Sequence, residues 1–137
     1  MFVLHERLET DTKFIIDWPM STVRLMNDTG YPWLALVPRV NEICELHHLE
    51  PADLAQVIEE MSAASRTIEQ LFSPDKINIG ALGNLVPQLH IHVLGRFKTD
   101  AAWPGPVWGA HPPKPYEADN LDQTLAKFRA DLIQAFD

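Results

Sequence analysis

The sequence predicts an α+β fold: an antiparallel sheet of about five strands with one long central helix and a C-terminal helix. Three observations predict it. Short runs that are apolar throughout, or that alternate with a period of two, recur between turn-forming residues in the manner of strands. One stretch, from Pro51 to Phe72, instead places its apolar residues at helical spacing. A second, from Asn120 to Phe136, does the same at the end of the sequence.

Residues 1–12 are short and weakly amphipathic and read as one or two helical turns, with His5 at the surface. Lys13 to Trp18 reads as a strand that Pro19-Met20 interrupts, and Thr22 to Asn27 as a second. Asn27-Asp28-Thr29-Gly30 supplies a turn, because Asn and Asp side chains bond their own backbone and Gly accepts positive φ. Tyr31 to Val37 is nearly all apolar and reads as a central third strand. Pro38 closes it, lacking the N–H that a central ladder needs. These strands fit an antiparallel meander. His47-His48 are adjacent, share no face, and read as loop residues.

Pro51 suits the first turn of the long helix, where a missing N–H costs nothing. Leu54, Val57, Ile58, Met61, Ile68, Leu71 and Phe72 form its core face; Glu59, Glu60, Arg66 and Glu69 form a solvated one. Ser73-Pro74 end it. Lys76 to Gly83 is a fourth strand running into a glycine turn, and Asn84 to Pro87 connect it to a fifth at 87–97. Trp103 to Pro115 is too rich in Pro and Gly for a regular helix or a central strand, so Trp103 and Trp108 must pack on this domain or on a partner. Asp119 or Asn120 caps the final helix, whose stripe is Leu121, Leu125, Phe128, Leu132, Ile133 and Phe136.

The chain's 137 residues suit one domain, 1–137, with a core of about 14–104 and a Pro/Trp-rich segment and helix at 105–137. Its apolar share of 46% and charged share of 22% are those of a globular protein. A net charge of −8 argues against a surface that coats nucleic acid. It leaves room for a small anionic ligand in a pocket of opposite local field. The single Cys44 has no partner for a disulfide and reads as a small buried hydrophobe. No apolar run reaches membrane-spanning length and no signal peptide opens the sequence, so the expectation is a cytoplasmic protein with neither membrane nor nucleic acid as a partner.

Function concentrates in Pro87-Gln88-Leu89-His90-Ile91-His92-Val93-Leu94-Gly95-Arg96-Phe97. Leu89, Ile91 and Val93 alternate with Gln88, His90 and His92, so the polar three fall on one face, about 6.6–6.8 Å apart. Such a row is costly to bury without partners and lines a cleft or binds something. His at i and i+2 has three uses: to ligate a metal, to do acid–base or nucleophilic chemistry, or to face solvent.

The segment Gln88-Leu89-His90-Ile91-His92-Val93-Leu94 resembles the signature of the histidine triad (HIT) superfamily of nucleotide hydrolases and transferases, His-φ-His-φ-His-φ-φ with φ apolar. Gln88 replaces the first His. Asn78-Ile79-Gly80 with Gly83, Trp103-Pro104, and Trp33 to Arg39 ending in Pro38-Arg39 resemble further family elements in the family's order. The resemblance implies a HIT-like fold, a homodimer, and a small-molecule nucleotide partner. It implies no cofactor and no metal. It makes His90 the nucleophile on the α-phosphorus, held by a backbone carbonyl at its other ring nitrogen. His92 then donates to a phosphate oxygen as charge develops there. Gln88 can hydrogen-bond to the phosphate but cannot act as acid or base, so by this resemblance His92 or the substrate itself would protonate the leaving group.

By the same resemblance the substrate-binding residues are Asn78, Gly83, Asn84, Asp28 and Trp33. Trp33 stands where the family often has a fourth His, and Asp28 is the nearest match to a ribose-binding Asp, with a plain turn residue as its other reading. Leu85 takes the place of a Ser or Thr, leaving Asn84 beside it as the polar contact. The implied reaction is hydrolysis or nucleotidyl transfer on a nucleoside phosphoramidate, a dinucleoside polyphosphate or a nucleotide conjugate. Two alternatives come from other classes: a metal-binding protein using His90 and His92, and a nucleotide-binding protein without turnover.

Overall fold

A computed structural model describes residues 1–136; Asp137, the end of the expected C-terminal segment, lies outside the described residues. The elements are α1 (Glu6–Asp11), β1 (Thr12–Asp17), β2 (Ser21–Met26), β3 (Trp33–Pro38), α2 (Pro51–Phe72), β4 (Lys76–Gly80), β5 (Ile91–Arg96) and α3 (Ala118–Leu132). The strands form one antiparallel sheet in the order β1-β2-β3-β5-β4, the expected α+β architecture. A meander of three strands thus meets the β4–β5 hairpin along the β3–β5 pairing. Among the described residues, no helix is long and apolar enough to cross a membrane.

The two faces of the sheet have different tasks. Leu34, Leu36, Ile91 and Val93 point to one side, where they pack with Val57, Ala64 and Ile68 of α2 and Phe128 and Leu132 of α3. The other side carries a smaller cluster of Tyr31, Trp33, Leu94 and Val107. The Trp18 indole N–H donates to the Leu132 carbonyl at 3.0 Å and fastens α3 to the end of β1. The long segment between β5 and α3 lies across the second face, where Thr29 N–H donates to the Lys114 carbonyl at 2.7 Å.

Several expectations need correction. Glu60 is fully buried rather than solvated, because it falls on the stripe with Val57, Ala64 and Ile68, and its Oε2 accepts from Met20 N–H at 2.8 Å. Ile58, one residue beyond that stripe, is 47% exposed instead. Cys44 is exposed, not buried. α3 begins at Ala118 with Glu117 as its cap, so Asp119 and Asn120 lie inside its first turn. Ile133 of the expected stripe faces solvent, past the last turn of α3. β4 stops at Gly80, short of Gly83.

The fifth strand begins at Ile91, not Pro87. Residues 88–90 bond other partners instead: Leu89 N–H donates to the Ile43 carbonyl at 2.9 Å, and Gln88 bonds the N-terminal segment.

Candidate active site

β5 and the residue just before it bring the two imidazoles to the face opposite α2. His92 pairs with Ala35 on one side and Gly80 on the other. Both neighbours are small, which opens space over His92 for two indoles. A Cβ on Gly80 would stand 2.8 Å from the Trp108 ring, so glycine is required there by close approach. Trp33, two residues before Ala35 and on the same face, reaches His92 across the strand boundary.

The hydrogen bonds fix the tautomers. Trp33 Nε1 donates to His92 Nδ1 at 2.9 Å. An indole N–H can only donate, so Nδ1 carries a lone pair and the proton of neutral His92 sits on Nε2. Burial, with His90 alongside, lowers the His92 pKa from 6.5 to about 4. His92 is therefore a neutral N–H donor across the physiological range. His90 Nδ1 lies 2.8 Å from the Gln88 backbone carbonyl. A carbonyl only accepts, so Nδ1 bears the proton and Nε2 the lone pair. The rings stand 5.0 Å apart, nearly perpendicular. One imidazole thus offers a lone pair and its neighbour offers an N–H.

His90 borders a cleft of about 730 Å³. Trp33, Trp108 and Val107 form its aromatic and apolar wall, and the loop Leu82-Gly83-Asn84-Leu85 forms a second. Gly83 holds φ +69°, a left-handed backbone that glycine adopts without strain. Arg7 and Asp11 of α1 stand at the mouth, paired with each other at 3.4 Å. His111 closes the far side, its Nε2 2.8 Å from the Tyr31 hydroxyl.

Of the residues expected to bind substrate, Trp33, Gly83, Asn84 and Asp28 line this cleft. Asp28 is also a turn residue: its Oδ1 accepts from Gly30 N–H at 2.9 Å and Lys114 N–H at 3.4 Å. Asn78 does not line the cleft; its Oδ1 accepts from Arg96 Nη1 at 2.9 Å. Gln88 departs furthest from expectation. Its carboxamide faces no cleft, because Oε1 accepts from His5 N–H at 2.8 Å and Nε2 donates to the Val3 carbonyl at 2.9 Å.

Among the described residues, no three His, Cys, Asp or Glu side chains are grouped to hold a metal ion, so His90 and His92 lack a third ligand.

Sequence reasoning missed His111 and the Arg7–Asp11 pair as cleft residues, and Tyr31 as the partner that holds His111. Each lies far from β5 in the sequence, and nothing local marks it. Trp108 carried a signal, a tryptophan in a segment too irregular to bury it alone.

The Trp33 bond makes a prediction. Removing the indole N–H with Trp33→Phe frees His92 Nδ1 to accept a proton. The His92 pKa should then rise above about 4 by the share that the indole bond adds to burial and to His90. Titration of the ring C–H resonances by NMR checks this, and an unmoved midpoint would show that burial alone sets the value.

The model of the HIT domain matches residues 7–99. A histidine triad protein from Marinobacter aquaeolei VT8 is 45% identical, with a TM-score of 0.96 over 98% of each chain. One from Bradyrhizobium japonicum is 43% identical, with a TM-score of 0.93 over 96% of this chain and 98% of that one. One from Sinorhizobium meliloti 1021 is 40% identical, with a TM-score of 0.92 over 95% of this chain and 96% of that one. No curated protein gives a match. With the domain match covering most of the chain and the sheet, helices and paired imidazoles in place, the chain belongs to the HIT domain family.

Proposed function

We propose that the protein cleaves nucleotide conjugates at the α-phosphate, by hydrolysis or by transfer, through a nucleotidyl-His90 intermediate. The observation that carries this reading is the opposed pair of tautomers, His90 on the wall of the cleft and His92 buried with its ring 5.0 Å from that of His90. His90 Nε2 attacks phosphorus, a P–N bond forms, and the bond to the leaving group breaks. The positive charge that develops on the imidazole is held by the Gln88 carbonyl at Nδ1–H. His92 Nε2–H donates to a phosphate oxygen as negative charge gathers there. Water or another acceptor then attacks phosphorus, the P–Nε2 bond breaks, and the nucleotide leaves.

His92 holds one ring proton and stays neutral to about pH 4, so it is a hydrogen-bond donor and not the acid that protonates the leaving group. Gln88 faces the N-terminal segment and supplies no proton either. The leaving group departs as an anion or arrives protonated. Release of AMP should therefore fall steeply as the leaving group becomes more basic wherever that group departs without a proton of its own. A series of adenosine phosphoramidates, with diadenosine tetraphosphate beside them, tests this. AMP release graded by leaving-group basicity supports the reading. AMP binding without release from any member would replace it with nucleotide binding alone.

The family resemblance also gives the working unit as a homodimer. The open edge at β4, with Ile79 47% exposed, offers a strand to a second copy. Sedimentation at twice 15.5 kDa is the expected result, and a monomer at working concentration overturns it.

A further inference from the structure

Gln88 stands where the family signature has a histidine, yet its side chain serves the fold. Its two amide ends grip a single extended segment, accepting from His5 N–H and donating to the Val3 carbonyl. The N–H of residue 5 and the carbonyl of residue 3 point to the same side of extended chain. A carboxamide presents its oxygen and nitrogen side by side and meets both. The two nitrogens of an imidazole diverge and cannot. The backbone carbonyl of Gln88 is, in turn, the group that accepts from His90 Nδ1–H at 2.8 Å. One residue therefore joins the start of the chain to the imidazole at the cleft. The arm is fixed at its other end by α1, where Leu8 is buried and Arg7 lines the cleft.

We propose that Gln88 is a positioning residue: it docks the N-terminal arm, residues 1–5, against the head of β5. The docked arm then holds the Gln88 carbonyl where it fixes His90 with the Nε2 lone pair toward the cleft. The kinetic consequence rests on His90 being the nucleophile; the structural consequence does not.

The test uses full-length variants. Gln88→Leu removes both amide contacts. His5→Pro removes the N–H donor at a residue whose φ of −59° proline shares. It also removes the imidazole, which accepts from Arg7 N–H. His5→Ala removes the imidazole and keeps the N–H, and so serves as the control. Two readouts apply: the His90 ring tautomer by nitrogen-15 NMR, which needs no substrate, and kcat and KM for AMP release.

Gln88→Leu and His5→Pro should each turn the Nδ1–H tautomer of His90 into a mixture and lower kcat by about tenfold to a hundredfold. The double variant should be no worse than the poorer single one, because both break one linkage. His5→Ala should keep the wild-type tautomer. Suppose instead that Gln88→Leu loses kcat while its tautomer and the His5→Pro rate stay wild-type. Gln88 then meets substrate directly and the proposal falls. It falls equally if both variants keep the tautomer and the rate. A wild type that releases no AMP would remove the proposed reaction, and the tautomers would still decide whether the arm positions His90.

Discussion

Replacing His90 by alanine is expected to cut AMP release by about a thousandfold or more, equivalent to about 4 kcal/mol of transition-state stabilisation. The only side-chain hydrogen bond His90 makes within the described residues is the one to the Gln88 carbonyl. Its loss should leave the fold intact, which an unchanged circular dichroism spectrum and melting point would verify. His92→Ala should cost less, because it removes a donor to charge and not the atom that forms the bond. The assignment is falsified if His90→Ala retains more than about a tenth of wild-type turnover.

The largest effect on stability is expected from Asp100→Ala. Arg96 and Asp100 are both buried, with side chains 2% and 3% exposed. Asp100 accepts from Arg96 Nε at 2.8 Å and Nη2 at 3.0 Å, and from the amides of Phe97 at 2.9 Å and Trp103 at 2.8 Å. Tyr31 and Trp103 flank the guanidinium, each ring 5.7 Å away. Removing the carboxylate strands a buried cation and two amides, which costs about 3–5 kcal/mol. Urea unfolding at pH 7 reads this. A loss under about 1 kcal/mol would place the pair in the range of exposed, water-screened ones.

The pH dependence follows with its sign. Burial alone would raise the Asp100 carboxyl, but the Arg96 bonds and the two amides hold it below its ordinary value. Its contribution is present at neutral pH and is lost as pH falls below about 4. His92 acts in a higher window. Its pKa is depressed in the fold, so from pH 6.5 down to about 4 the unfolded chain binds a proton that the folded chain refuses, and stability falls there too. Asp100→Ala should flatten only the lower limb of the stability curve.

Much of this was legible in the sequence because it is periodic. The alternation through residues 89–94 placed Leu89, Ile91 and Val93 in the core and the imidazoles opposite, and the helix over Pro51–Phe72 begins and ends where its prolines require. The errors arise where a side chain bonds something distant. Glu60 reads as a surface acid until Met20 is seen to present an N–H to it. Gln88 reads as a site residue until the first five residues are seen to lie beside it. Asn78 likewise belongs to Arg96. Periodicity reports which face a residue occupies. It does not report a partner that lies 18, 40 or 83 positions away, as these do.

The bond from Trp33 to His92 crosses the junction between the β1–β2–β3 meander and the β4–β5 hairpin, joining residues 59 positions apart. During refolding, each unit can form from contacts within itself, but their union closes a long loop and is the slower kind of event. A chain that has folded only one unit has strands and helices yet no imidazole held by an indole. The return of the indole-held tautomer of His92 therefore times the meeting of the two units, separately from the recovery of secondary structure.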